Sequence, residues 1–249
     1  MRNKTGPTLA WDANRLARYD AVTRPAPDQQ RRVRNVAIAV STPSKRAQRA
    51  RKSTAPITLA VLHPKGGVGR STTVWHLGAE LALRGCRVLL EDLDQGRHLS
   101  RVYTRHPLGF DNLQLGTLAS VEDDIDLVLL DTAPEAQRER ALDYLRRANW
   151  VLVPVKGPEE GSVQALPALL RWLQEANGAR LIGFLPTMHK PRRAEARYWL
   201  GELQKLAEQN RTRVFEPIGD LASVAAWRLD GHPYAHVAEE ILSAVAARA

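Results

Sequence analysis

The stretch that most narrows the choice of fold is "ITLAVLHPKGGVGRSTT", residues 57–73. A continuous apolar run ends at three closely spaced glycines, and a long helical stretch, "STTVWHLGAELALRG", follows at once. A strand without polar alternation is buried on both faces, which is the habit of parallel sheets. Gly66, Gly67 and Gly69 permit backbone conformations that side chains block. Their N–H groups, with the N-terminus of the following helix, make a cradle for an anion. Ser71 stands at the offset where a hydroxyl meets Mg2+. A glycine-rich turn alone is weak; strand, turn, helix and Ser-Thr in this order are specific.

The rest of the chain repeats the alternation. "RVLLEDLD", "DLVLLD", "NWVLVPV" and "RLIGFLPT" read as further buried strands, with "VF" a short one near residue 214. "EAQRERALDYLRRA", "SVQALPALLRWLQEAN", "AEARYWLGELQKLAEQN" and "AHVAEEILSAVAAR" read as helices between or after them, and Gly85 as the C-cap of the first helix. The expected fold is α/β: a mainly parallel twisted sheet with helices on both faces, and with its glycine loop it resembles the P-loop NTPases. Ligands in such folds sit beyond the C-terminal strand ends. The glycine loop, the pair Asp92 and Asp94, and Asp131 all fall at such ends. Acids there organise Mg2+ waters or orient an attacking water.

Charge divides the 249 residues in two. Residues 1–56 hold 13 Lys or Arg against 3 Asp, whereas the remainder holds 23 basic and 24 acidic side chains. With its Pro, Ser and Gln, the first segment reads as a basic, flexible extension (1–56) ahead of a nucleotide-binding domain (57–249). Trp11, Leu16 and Tyr19 would share a face of a short helix within it. A detached basic arm suggests a polyanion, most often nucleic acid; the plainer reading is a solvated tail. No apolar run reaches the ~18–20 residues of a membrane span, and no signal peptide is evident. A single cysteine, Cys86, excludes an internal disulfide and fits a cytoplasmic setting.

Taken together, these motifs resemble the ParA/MinD family of deviant Walker-A ATPases, the ParA partition branch best. "KGGVGRST" follows the family loop KGGxGK[ST] at every fixed position but one. "RVLLEDLDQG" resembles VLLIDLDPQG with its proline deleted, and "DLVLLDTAPE" resembles YDYILIDTPP. "ANWVLVPVKGPEEGSVQAL", "LIGFLPTM" and "PIGDLASVAAWRLDGHP" correspond to the later segments, so the resemblance covers about residues 57–245. It implies ATP and Mg2+ as cofactors and a face-to-face homodimer on ATP binding. It also implies a nucleoid-associated role on non-specific DNA, and a ParB-like partner that triggers release. Residue by residue, it implies that Lys65 reaches the partner's phosphates and that Asp94 orients the lytic water. Gly66, Gly67, Val68, Gly69, Arg70, Ser71 and Thr72 would hold the phosphates. Ser71, Asp92 and Asp131 would surround the metal. Thr187, Met188 and Pro217 would lie near the base.

The departures matter as much. Arg70 replaces the family lysine that contacts the β- and γ-phosphates. Charge is kept, but a guanidinium is wider and longer than an ammonium. The expectation is nucleotide binding with slow or lost hydrolysis; alternatively, Arg70 swings out and Lys65 takes over its role. Glu91 stands at an apolar family position and would need a partner, Arg87 or Arg97. Asp220 and Ser223 occupy places that are usually basic in the family's DNA-contacting loop. DNA contact would then fall to Arg31, Arg32, Arg34, Lys45, Arg46, Arg49, Arg51 and Lys52 of the extension, with Arg228. Lys190, Arg192, Arg193, Arg197, Arg211 and Arg213 make a second basic patch, or merely a solvated face. His63 and Cys86 read as packing residues, and Trp172, Trp199 and Trp227 as core or interface residues on helices. Two function classes remain: a partition or positioning ATPase, and a hydrolysis-defective, nucleotide-gated DNA-binding scaffold such as a partition corepressor. A MinD-like membrane positioner is disfavoured by the small-residue C-terminus.

Overall fold

The computed structural model describes residues 55–120, 125–134, 138–192 and 194–246. Residues 1–54 of the basic extension, including Trp11 and every arginine and lysine read there as DNA-contacting, lie outside them, as does Arg193.

Six strands form one parallel sheet: β1 (Ile57–Val61), β2 (Val88–Asp92), β3 (Leu113–Leu115), β4 (Leu127–Asp131), β5 (Trp150–Lys156) and β6 (Arg180–Thr187). Their spatial order is β3-β2-β4-β1-β5-β6. Between and after them lie α1 (Arg70–Leu83), α2 (His98–Arg105), α3 (Arg138–Arg147), α4 (Glu160–Gln164), α5 (Leu166–Ala176), α6 (Ala194–Gln209), α7 (Ala222–Ala225) and α8 (Ala235–Ala246).

Successive strand residues point to opposite faces, and this sorts the core in two. Leu59, Val61, Val88, Leu90, Leu127, Leu129 and Leu152 pack with Val74 and Leu77 of α1, Leu99 of α2 and Ile241 of α8. Ala60, Leu89, Val128, Leu130, Val151 and Val153 pack with Leu145 of α3, Leu169 of α5 and Leu203 of α6. The expected two-faced parallel sheet is therefore present. The central strands read as unbroken apolar runs because each face has its own helical layer.

Several local expectations are corrected. The segment "SVQALPALLRWLQEAN" is not one helix: Ala165 separates α4 from α5, with a proline in the first turn of α5, where its missing N–H costs nothing. Val214 makes a single bridge to Phe184 rather than a strand. Trp227 follows α7 with a positive φ of 55° instead of lying on a helix. Gly85, at φ 83°, does end α1 in the left-handed conformation that only glycine adopts freely. The short α2, β3 and α7 have no counterpart in the sequence reading.

Glu91 finds neither Arg87 nor Arg97. Its carboxylate accepts a 2.7 Å hydrogen bond from Arg147 Nη2 at the end of α3. The pleat explains this. Glu91 shares parity with Leu89 and faces the α3 layer, while Arg87 lies four residues back, about 13 Å along the strand, and binds Asp126 at 2.7 Å. Arg97 instead donates to the Asp92 carbonyl at 3.3 Å.

Candidate functional site

The glycine loop joins β1 to α1 at the point where the strand order reverses. Gly67 and Gly69 take φ of 73° and 90°, values that side chains resist. Gly69 is the residue preceding the first turn of α1, and that turn holds no acid. Its free N–H groups face an anion of any kind favourably. The loop is fixed from the far side of the sheet. Thr187 Oγ1, at the end of β6, donates to the Val68 carbonyl at 2.8 Å. A Cβ placed on Gly69 would lie 3.8 Å from both Thr187 and Met188. Ile218 N–H donates to the Pro186 carbonyl at 2.8 Å, and His189 N–H to the Ile218 carbonyl at 3.0 Å. Thr187 and Met188 thus border the loop, and the Pro217 segment runs beside them.

Arg70 is nearly buried, at 8% exposure, and its guanidinium is turned onto the backbone. Nε donates to the Thr132 carbonyl at 2.9 Å, and Nη1 to those of His63 at 3.0 Å and Lys65 at 2.6 Å. Burial lowers its pKa from the usual value, with the charges of Asp131 and Asp94 acting against that. The side chain is a brace between the start of the loop and the end of β4, a task that suits a planar multi-donor fork.

Lys65 is half-exposed and ion-paired with Glu159 in the loop after β5. Glu159 also takes Lys156 at 3.0 Å. His63 ties the same two loops together: its Nδ1 accepts the Lys65 N–H at 2.9 Å, so its Nε2 donates to the Ser162 carbonyl at 2.9 Å. Burial lowers the His63 pKa to about 4, which keeps the ring neutral and this tautomer in place. His63 is a packing residue as expected, but a bridging one. Neither it nor Glu159 carries a motif that sequence reading would single out for this contact.

The acids lie side by side. Asp92 and Asp131 are in register on adjacent parallel strands. Asp131 is fully buried, and neither of its carboxylate oxygens has a hydrogen-bond partner among the described residues. Burial raises its pKa to about 7. Asp92 and Asp94 add to that; the adjacent Ser71 hydroxyl and Arg70 oppose it. A buried acid pushed up by burial and like charge, next to a loop-helix hydroxyl, is a natural seat for a hydrated divalent cation. Ser71 and Asp131 would hold it. Asp92 is differently engaged: Oδ2 accepts the N–H and hydroxyl of Ser100 in α2 at 2.8 and 2.6 Å, and Oδ1 the Asp94 N–H at 3.1 Å. Its carboxylate positions α2. Asp94 Oδ1 accepts the Gly96 N–H at 2.9 Å, and Asp94 lines, with Asp92, Glu91, Gln95, Arg97 and Thr117, a cleft of about 250 Å³. No cluster of three or more His, Cys, Asp or Glu with metal-binding geometry occurs among the described residues.

Two members of the second basic patch, and Arg228, are paired with acids. Lys190 pairs with Asp220 at 2.8 Å, Arg213 with Glu240 at 3.1 Å, and Arg228 with Asp230 at 3.1 Å. Among the described residues no helix is long and apolar enough to cross a membrane.

The sequence pattern of the CobQ/CobB/MinD/ParA nucleotide binding domain matches residues 59–234. The chromosome-partitioning ATPase Soj of Thermus thermophilus is 33% identical, over 54% of this chain and 70% of Soj. A putative plasmid partition protein of Borrelia burgdorferi, solved with AMPPNP, superposes with TM-score 0.61 at 18% identity, covering 78% of this chain and all of that one. Cobyrinic acid a,c-diamide synthase of Mycobacterium smegmatis, solved with an ATP analog and magnesium, superposes with TM-score 0.56 at 25% identity, covering 78% and 95%.

Proposed function

This chain belongs to the CobQ/CobB/MinD/ParA nucleotide-binding family, and from that premise we propose that it is a ParA-like ATP- and Mg2+-binding protein that partitions or positions DNA or another large cargo. The observation that carries the reading is the fully buried Asp131 at the foot of a glycine loop, its carboxylate oxygens without a close hydrogen-bond partner among the described residues and with the Ser71 hydroxyl as neighbour. A buried carboxylate short of hydrogen bonds is costly; a hydrated cation carrying triphosphate would meet its remaining acceptor sites. When bound, Mg2+ would neutralise phosphate charge. Gly66 to Gly69 and the N–H groups of Arg70, Ser71 and Thr72 would hold the phosphates. Thr187, Met188 and Pro217 would border the base, and Asp94 would orient water.

ATP would favour a homodimer in which Lys65 leaves Glu159 for the partner's phosphates. Binding to DNA and to a ParB-like adaptor would place the protein on the nucleoid. The likeness to Soj supports partition over the amide-forming chemistry of the cobyrinic acid enzyme.

A second reading follows from Arg70. Because its guanidinium is committed to three backbone carbonyls, occupancy rather than turnover would be the signal, as in a hydrolysis-defective nucleotide-gated scaffold. Titration of the full chain with ATP, with and without Mg2+, tests the shared premise, and phosphate release in the presence of DNA separates the readings. Absence of Mg2+-dependent nucleotide binding would sink both.

A further inference from the structure

The residues from Gln95 to Phe110 include Arg97, Arg101 and Arg105 and no acid. In the fold they become α2 and its flanks. Leu99 and Val102 enter the core, and Arg97, His98, Arg101, Thr104, Arg105 and His106 are exposed. Residues four apart on a helix share a face at about 6 Å of rise, so Arg101 and Arg105 form one stripe, whereas Arg97, the left-handed residue before α2, turns its guanidinium onto the Asp92 carbonyl. Among the described residues neither Arg101 nor Arg105 has a carboxylate partner. This sets them apart from Lys190, Arg213 and Arg228, which all do. We infer that the outward face of α2 is a binding surface for the phosphodiester backbone of duplex DNA, an inference that rests on the DNA-associated function proposed above.

Three observations choose this occupant. The face has no large apolar side chain, so it lacks the apolar centre that a protein partner requires and the wedge that a membrane surface requires. A duplex strand carries one charge per about 3.4 Å of axis, so the stripe of Arg101 and Arg105, about 6 Å long, meets about two phosphates. Single strands need free aromatic platforms. The rings bordering the stripe are occupied with one another: Trp227 stands edge-on to Trp75 at 5.8 Å and lies 5.9 Å from His98. The stripe is also wired to the nucleotide site, because Asp92 holds Ser100 in the first turn of α2.

The test uses the full chain with its basic extension. Binding of a short labelled duplex of mixed sequence is followed across about 50 to 200 mM salt, with Mg2+-ATP binding measured on the same samples. Arg101→Ala/Arg105→Ala removes two phosphate contacts, so the slope of log affinity on log salt becomes shallower by about 1.8, and the loss of affinity over that range shrinks about 12-fold. Arg101→Lys/Arg105→Lys keeps the wild-type slope, which separates charge from folding. The inference is overturned by an alanine variant with the wild-type slope and affinity, or by a lysine variant as impaired as the alanine one. It is equally overturned by tighter binding to the single strand than to the duplex, or by displacement of the duplex by polyglutamate at equal charge. Failure of the wild-type chain to bind Mg2+-ATP would instead defeat the proposed function, whereas a slope indifferent to these arginines defeats only the present assignment.

Discussion

Replacing Arg70 with lysine separates bracing from catalysis. The guanidinium makes three hydrogen bonds to the carbonyls of His63, Lys65 and Thr132. A lysine in the same place has one nitrogen and a shorter reach, so it cannot serve the Thr132 carbonyl and the His63 and Lys65 carbonyls together as Nε and Nη1 do. Hydrogen bonds to a charged group contribute about 1.5–3 kcal/mol each, but water recovers part of that once the loop relaxes. The net cost is about 2 kcal/mol, which in a domain of this size lowers Tm by about 4–8 °C. The ammonium is then free to face the loop cavity. If the arginine holds phosphates about 1 Å from the in-line position, relieving that error is worth about 100-fold in rate, or about 2.7 kcal/mol of barrier. The assay is single-turnover hydrolysis at saturating Mg2+-ATP, with and without DNA, beside a thermal melt. The expected result is a less stable protein that hydrolyses ATP faster. Equal and brisk turnover in both proteins would refute the reasoning, as would an unchanged melt, because the brace would then carry no weight.

Asp131→Asn removes an acid whose folded pKa, about 7, lies above its ordinary value. Such a group costs stability as pH rises from about 4 to 7, because the folded state then binds more protons than the unfolded one. The nucleotide-free variant should therefore gain stability on the wild type at pH 8 and not at pH 4 in thermal melts, and should lose the Mg2+-dependent part of nucleotide binding. His232 Nδ1 lies 2.9 Å from the buried Glu80, and that hydrogen bond raises its pKa. Its contribution is full below its unfolded pKa of about 6.5 and is lost as pH rises through the folded value. His232→Gln should thus destabilise more at pH 6 than at pH 9 in paired melts. Thr187→Val leaves the Val68 carbonyl without its 2.8 Å partner; a cost of about 1–3 kcal/mol and weaker ATP binding by calorimetry are expected.

Much of the architecture was legible because its causes are local. Apolar runs of five to seven residues between amphipathic stretches specify buried strands and covering helices, and the glycine loop announces its own geometry. The elements that escaped notice, α2, β3 and α7, are eight, three and four residues long. At that length periodicity has too few turns to register, and burial of single side chains such as Leu99 and Leu113 decides the conformation.

The candidate site divides in the same way. Order along the chain was enough to mark the loop, Ser71, and the acids at the ends of β2 and β4, since a parallel sheet gathers C-terminal strand ends on one edge. What each group does there was decided only by folding. Asp92 and Asp94 look equivalent in sequence and border the same cleft, yet one carboxylate is spent on Ser100 of α2 and the other on the turn at Gly96. Glu91 meets Arg147 of the α3 layer, 56 residues away, because the pleat points it at that layer while Arg87 lies too far back along the strand and is taken by Asp126. Arg70 reads as a displaced phosphate ligand until three carbonyls converge on it from the loop and from β4. Residue types and spacing carry local chemistry; partner choice depends on which faces the sheet and helices bring together, and no single stretch of chain holds that information.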